Sequence, residues 1–333
     1  MNKEKKKLLE IVGRFSEKKI CVWGDFILDE YLYGNTRRIS REAPVLILSY
    51  KNEEFSLGGA GNSLLNLKAL GAEPLPVGVI GYDAAGRKIA HIMKQKGIPT
   101  EYLIKEKDFN TPIKTRILAG EETAKKQQIL RIDRDEKVPE NSALKQKLQK
   151  LLKDLKNNSS ALIISDYNYY SVKEDIYYQV LPFFKKSSIP IALDSRFRPL
   201  NFKGITVSTP NEPEVEEALR IEIDDNPQIL KNVGETLLNR AEAQAVLITR
   251  GSQGMVLFEK GKTPFNIAIY GTTDIVDGTG AGDTVISVFT LALSAGATFK
   301  DAALLANYAG GIVVMKKGTS TLTVNELKKA IDS

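Results

Sequence analysis
Between residues 277 and 283 the chain reads Asp277-Gly-Thr-Gly-Ala-Gly-Asp283, and an apolar, helix-like run follows at once. Residues without bulky side chains let backbone N–H groups approach an anion, and a helix N-terminus adds positive potential. A carboxylate there has a natural task, taking the proton of a hydroxyl as that hydroxyl attacks phosphorus. The bland alternative is a helix-start Asp favoured only by the dipole. Asn211-Glu-Pro-Glu214 has the spacing of a capping box, with Asn as cap and Glu at the third helical position. Asp25 and Asp29 stand just past the apolar run 19–23, where carboxylates can accept hydrogen bonds from ligand hydroxyls, although a lone Asp after a strand is often a cap.

The elements that must hold these residues alternate. Short β-favouring runs, 19–23, 161–165, 190–193, 205–207 and 245–249, each end in or next to a polar residue. That is the pattern of a mostly parallel sheet, whose ligands bind outside the carboxyl ends of its strands. Helical patterns fall between them. Leu144, Leu148, Leu151, Leu152 and Leu155 repeat behind Asn141; a second helix spans about 60–70 and stops at Gly71; a third runs from about Gly282 to Ser294. Strand–helix alternation over 333 residues predicts one doubly wound α/β domain. Residues 31–50 and 111–133 break the rhythm. The second segment reads as a hairpin around Gly120-Glu-Glu122, and the two together predict a small antiparallel sheet, a lid or an interface. Asp166 and Asp194 also end strands on the ligand side.

Composition closes several routes. One histidine, His91, leaves too few ligands for a typical zinc site and too few parts for paired-histidine catalysis. One cysteine, Cys21, makes no internal disulfide. Net charge is 47 − 41 = +6, carried by lysine runs that read as solvated surface, with no aromatic-interleaved basic strip to bind nucleic acid. No secretory signal or membrane-length apolar run is visible, so a cytoplasmic protein is expected. A Walker A loop is ruled out because Gly254 and Gly261 are separated by six residues, and the loop at 278–283 has Asp283 where a dinucleotide fingerprint needs glycine.

The string 277–283 resembles the C-terminal signature of the ribokinase/PfkB family of sugar kinases, and Gly58-Gly-Ala-Gly-Asn62 resembles its N-terminal signature. Gly278 and Leu64 depart from the usual pattern. The resemblance implies a ribokinase-like fold with a β lid, and Asp283 as base with Gly280, Ala281 and Gly282 as anion hole. It assigns ATP to Asn211, Glu212, Pro213, Glu214, Thr249, Gly251, Gly254 and Asn307, with Lys316-Lys-Gly-Thr-Ser320 bordering the adenine pocket. Glu214 would meet Mg²⁺ through water, and a monovalent cation is left open. Asp25, Asp29, Gly58, Gly59 and Asn62 would face the sugar. The strings 24–31, 38–45, 112–116, 127–133 and 318–321 are most similar to D-glycero-β-D-manno-heptose-7-phosphate kinases, the kinase half of HldE-type enzymes. Residues 194–198, Asp194-Ser-Arg-Phe-Arg198, depart from that subgroup's Asp-Pro-Lys.

A sugar phosphate needs cations, and Lys114, Arg116 and Arg131 fall on the two strands of the expected lid hairpin. Residues 1–333 are expected to be one kinase domain without a nucleotidyltransferase domain. The resemblance further implies a homodimer through the lid, with Val45, Ile47, Ile113 and Ile117 as its apolar face. A ribokinase- or fructokinase-like enzyme and a catalytically inactive sugar or nucleotide sensor are the competing readings.

Overall fold
The structure, a computed structural model, describes residues 3–120, 126–223, 227–271, 276–316, 318 and 320–333. The expected turn at Glu121 and Glu122, and Lys317 and Thr319 of the C-terminal glycine turn, lie outside the described residues. The strands are β1 (Lys19–Gly24), β2 (Phe26–Ile39), β3 (Leu46–Gly59), β4 (Glu73–Gly81), β5 (Leu103–Glu106), β6 (Ile113–Gly120), β7 (Gln127–Arg134), β8 (Ala161–Asp166), β9 (Ile191–Ser195), β10 (Val207–Ser208), β11 (Ala245–Thr249), β12 (Met255–Glu259) and β13 (Phe265–Ile267). The helices are α1 (Lys3–Gly13), α2 (Ala60–Ala69), α3 (Ala84–Gln95), α4 (Ser142–Leu155), α5 (Glu174–Lys186), α6 (Glu212–Leu219), α7 (Pro227–Arg240), α8 (Ala281–Ser294), α9 (Phe299–Val313) and α10 (Val324–Asp332).

Nine strands form the main sheet in the order β13-β12-β11-β10-β9-β8-β1-β4-β5. It is parallel from β5 to β11 and antiparallel at the β11–β12–β13 edge. Parallel neighbours require crossovers, and those crossovers cover both faces. Period-2 alternation then divides each apolar run between two cores. Ile20 and Val22 of β1, Ile163 of β8 and Leu247 of β11 point into one core with α1, α2, α3, α8, α9 and α10. Cys21, Trp23, Ile164 and Ile248 point into the other, with α4, α5, α6 and α7. Continuous hydrophobicity in these short runs is therefore a consequence of burial on both sides. Two runs depart in position: β9 covers Ile191–Ser195 rather than 190–193, and β10 falls on Val207–Ser208 rather than 205–207.

The α8 helix is apolar almost all round because it is wedged between α2, α9 and the sheet, with Val285, Ile286, Val288, Phe289 and Leu291 at or near full burial. That explains why the longest apolar run of the sequence belongs to a core helix. Among the described residues no helix is long and apolar enough to cross a membrane.

The second sheet has the order β3-β2-β6-β7. The β2–β3 and β6–β7 hairpins are antiparallel, as expected, and they join side by side through a parallel β2–β6 pairing. The first hairpin is longer than segment 31–50, rooted at Phe26 and Gly59 beside β1. The expected apolar face needs correction. Ile113 packs against the main core, and the exposed large apolar residues of these segments are Ile39, Val45, Leu46, Tyr50, Ile129, Leu130 and Ile132.

Candidate active site
The carboxyl ends of β1, β8, β9 and β11 meet the N-termini of α2, α6 and α8. α8 opens from Gly280, whose φ of 78° is left-handed, and no side chain caps it. The Ala281 N–H is taken by the Gly278 carbonyl at 3.2 Å and the Thr284 N–H by Gly280 at 3.1 Å. The first-turn N–H groups of Gly282 and Asp283 have no acceptor within the helix. A Cβ at Gly282 would meet nothing within 4 Å, so the approach to those donors is open. Of the expected anion hole, Ala281 is thus the member whose donor is already spent. Asp277 shapes the loop, accepting from the N–H groups of Thr279 and Gly318, both at 2.9 Å.

Asp283 is 4 % exposed, and each of its oxygens receives one neutral donor. Asn62 Nδ2 donates to Oδ2 at 2.9 Å and the Tyr167 hydroxyl to Oδ1 at 3.0 Å. The Asn62 amide also reaches the Gly280 carbonyl, while Asn66 holds the Asn62 carbonyl and accepts from Thr284. Asn62 therefore serves the carboxylate of α8, where a sugar contact had been expected. Burial pushes the Asp283 carboxyl up to about 7; the Asn62 and Tyr167 donors pull it down, and the fields of Asp29 and Glu214 raise it further.

Asp25 also changes role. Its carboxylate accepts main-chain N–H groups from Tyr167 at 2.9 Å, Tyr169 at 3.0 Å and Ser171 at 2.9 Å. Asn168 and Tyr170 between them are left-handed, at φ of 66° and 68°. That alternation turns every second N–H to one side and makes an anion-binding nest, here filled by the protein's own carboxylate. Asp25 anchors a loop, at 1 % exposure, and does not present itself to an acceptor.

Asp29 faces the site from β2 and pairs with Arg116 Nη1 at 2.5 Å. Gly58 makes that pair possible, since a Cβ there would sit 2.6 Å from Asp29 Oδ2. Gly59, at φ of 57°, lies so near the Asp25 carbonyl that its own Cβ would collide at 2.6 Å. These two glycines make room for the carboxylate layer.

On the opposite side Asn211 and Glu214 form a complete capping box, with the Glu214 N–H on Asn211 at 2.9 Å and the Asn211 N–H on Glu214 at 2.9 Å. Burial raises the Glu214 carboxyl, against the main-chain and side-chain bonds of Asn211 and the field of Arg196. Asp194 rises well above the ordinary range through burial, then through Glu214 and Asp283. Glu212 is paired with Arg250 at 2.5 Å, Pro213 is exposed, and Thr249 bridges to Asn211. Gly251 stands open, whereas Gly254 is a packing glycine, with the Ile267 carbonyl where its Cβ would go. Asn307 is likewise structural, donating to the Ala268 carbonyl at 2.9 Å.

The expected cation cluster divides. Pleating puts Lys114, Arg116, Arg131 and Asp133 on one face of the lid, since Lys114 lies opposite Asp133 and Arg116 opposite Arg131. Arg116 turns to Asp29 and over the Tyr31 ring, beside a cleft of about 910 Å³ that also reaches Asp277, Thr279 and Gly318. Lys114 and Arg131 share Asp133 and line a separate cavity of about 360 Å³ with Lys137, Arg196, Tyr167 and Tyr169. Arg198, the other arginine of segment 194–198, is spent on Asp166 at 2.5 Å. Tyr167 and Lys137 belong to no motif, and Arg196 was marked only as part of the divergent segment 194–198; position just beyond a strand's carboxyl end is the sequence signal Tyr167 carried.

Residues 17–326 match the family model for pfkB family carbohydrate kinases. The chain belongs to the PfkB family. It is a sugar kinase, of a family that uses ATP. It is 36% identical over 328 residues to "Bifunctional protein HldE" of Geobacter sulfurreducens, covering 97% of this chain and 65% of that one. It is 37% identical over 318 residues to the protein of the same name from Desulfatibacillum aliphaticivorans, covering 95% and 64%. The chain thus spans just under two thirds of these relatives. In fold it resembles Arabidopsis thaliana ribokinase complexed with ribose and ATP, at 20% identity and a TM-score of 0.72 over 95% of this chain and 99% of that one. Escherichia coli phosphofructokinase-2 in complex with fructose-6-phosphate aligns at 17% identity and a TM-score of 0.73, over 95% and 98%.

In this PfkB kinase the buried base-like carboxyl carries a cost that pH exposes. A folded value near 7 against an ordinary 3.8 means that the stability Asp283 contributes is complete below about pH 4 and lost as pH rises through 7. Asp283→Asn escapes that loss. Its advantage in thermal unfolding over the native chain should widen from pH 5 to pH 7, by at most about 1.4 kcal/mol per pH unit, and level off above pH 7. An advantage independent of pH would contradict the raised carboxyl.

Proposed function
We propose that this kinase transfers the γ-phosphoryl group of ATP to D-glycero-β-D-manno-heptose 7-phosphate, giving the 1,7-bisphosphate, in the cytoplasm and as one kinase domain spanning 1–333. The observation that carries this reading is the placing of Lys114, Arg131, Lys137 and Arg196 around one cavity in which they outnumber Asp133, Asp135 and Glu136 and whose wall, Tyr167, hydrogen-bonds Asp283. An anionic end of the acceptor would fit there while a hydroxyl at its other end reaches the carboxylate.

In the reaction the acceptor hydroxyl oxygen forms a bond to the γ-phosphorus, the bond from that phosphorus to the β–γ bridging oxygen breaks, and ADP leaves. The hydroxyl proton passes to Asp283. The open N–H groups of Gly282 and Asp283 face the charge on the migrating group. Asn211, Glu214, Thr249 and Gly251 would line the triphosphate. Glu214 and Asp194 suit a divalent cation because burial, and then neighbouring carboxylates, raise each of them while Arg196 opposes that rise in both. Mg²⁺ held there through water would neutralise phosphate charge.

We also propose a homodimer through the second sheet. Exposed Ile39, Leu46 and Tyr50 lie toward its β3 edge and Leu130 and Ile132 on its β7 edge, apolar groups that water solvates poorly and that a second copy would cover.

Asp283→Asn should lose about 10²–10⁴-fold in kcat, the usual range for a proton acceptor, while still binding ATP. The native kcat/KM should fall below about pH 7, where Asp283 takes up its proton. Steady-state ADP release measures both, and a near-native rate in the variant would remove Asp283 from the mechanism. Lys114→Ala and Arg131→Ala should each raise the KM for heptose 7-phosphate about 10- to 150-fold, as loss of a charge-assisted contact of about 1.5–3 kcal/mol requires. A native preference for ribose or fructose, or an unmoved KM in both variants, would end the heptose-phosphate assignment. Sedimentation at micromolar concentration should give a dimer, and Leu130→Asp a monomer; a native monomer would refute the interface.

A further inference from the structure
We propose that Tyr167 is the positioning residue for the proton acceptor, and that its hydroxyl aims Asp283 and favours its ionised form. The inference rests on the reading of Asp283 as base. A carboxylate has about four lone-pair sites, and here one on each oxygen is occupied, by Asn62 Nδ2 at 2.9 Å and by the Tyr167 hydroxyl at 3.0 Å. Two donors from different elements fix the plane of the group and leave the remaining lone pairs for an incoming hydroxyl.

The rest of the surroundings work against ionisation. Asp29 from β2, Glu214 from α6 and Asp194 at the end of β9 all present negative charge to Asp283. Arg116 is engaged by Asp29, and Arg196 acts on Asp194 and Glu214. Asn62 and Tyr167 are therefore the direct counterweights to burial and to these carboxylates, and both are neutral.

Tyr167 is itself held from behind. Its N–H is one of three on the buried Asp25 carboxylate, and the two left-handed residues after it are conformations a chain adopts only when something enforces them. Its side chain also walls the cavity with Lys114 and Arg131, so one residue touches both the acceptor's cavity and the base.

The test is Tyr167→Phe in the full chain, which keeps the ring and removes only the hydroxyl. Carbon-13 carboxyl NMR of aspartate-labelled protein follows Asp283, its signal assigned by its loss in Asp283→Asn. The midpoint should move up by about one pH unit when the hydroxyl is removed. With ATP and heptose 7-phosphate, kcat at pH 7 should fall about fivefold, largely recover by about pH 8.5, and leave both KM values within about twofold. An unmoved midpoint overturns the proposal, as does a kcat loss that is constant with pH. If Asp283→Asn keeps native turnover, the base reading fails whatever Tyr167 does. If that variant is dead and Tyr167→Phe behaves as native in both measurements, the Tyr167 proposal alone fails.

Discussion
Six carboxylates, Asp25, Asp29, Asp166, Asp194, Glu214 and Asp283, gather around the carboxyl ends of the parallel strands, and most of them are out of reach of water. A buried carboxylate must be bonded, paired or protonated, and the local structure can be read as the set of answers to that demand. Asp166 takes Arg198 and the Ser195 hydroxyl; Asp29 takes Arg116; Asp25 takes three main-chain N–H groups. The residues that answer are fixed by it: segment 194–198 bends back to deliver Arg198, the lid leans in to deliver Arg116, and the 167–171 loop accepts two left-handed residues. Burial nevertheless raises Asp25, Asp29, Asp194, Glu214 and Asp283, and Asp194 and Asp283 are raised further by the charge of Glu214. The residual charge demand is greatest where, on the proposed chemistry, a divalent cation would arrive with its phosphates.

The same layer explains why α8 is built as it is. A helix that brings a carboxyl group to the centre of the molecule must be seated deeply, and a polar face would leave unpaired groups in the core. Its solution is a nearly uniform apolar surface from Val285 to Ala292, with Thr284 and Ser287 bonded to main chain or to Asn66. Thr290, farther along, is the exception, its hydroxyl buried without a hydrogen-bond partner, and it is the first turn that brings open N–H groups to the cleft.

Much of this was legible in sequence where local rules and the fold agree. The apolar runs of β1, β8 and β11, the capped α4 behind Asn141, and the glycine loop opening α8 follow from period, capping and backbone freedom, and all stand where expected. Motif position also marked Asp283, Asp29 and Asn211 with Glu214. The roles of Asp25, Asn62 and Asn307 were not legible, because a polar residue near a site looks the same in sequence whether it points at a ligand or at a neighbouring main chain. Tyr167 was hidden for a related reason: its function depends on where Asp25 pulls its backbone, 142 residues away in the chain. The split of Lys114 and Arg131 from Arg116 was hidden too. Alternation puts Lys114 and Arg116 on one face and the register adds Arg131, but the choice of partner is made by Asp29 and Asp133 across the sheet.

That choice ties the lid to the chemistry. Asp29 is among the groups that raise the Asp283 carboxyl, and the Arg116 guanidinium sits on Asp29 at 2.5 Å. Arg116 belongs to β6, which reaches β2 through the parallel register pairing Asp29 with Lys114 and Tyr31 with Arg116. Seating β6 against β2 therefore screens a negative charge that would otherwise hold the base protonated. Gly58 keeps the space in which that screening occurs, and a Cβ there would intrude on the Asp29 carboxylate itself. The second sheet thus has an electrostatic role as well as a covering one. Its register decides how much of the Asp29 field the base feels.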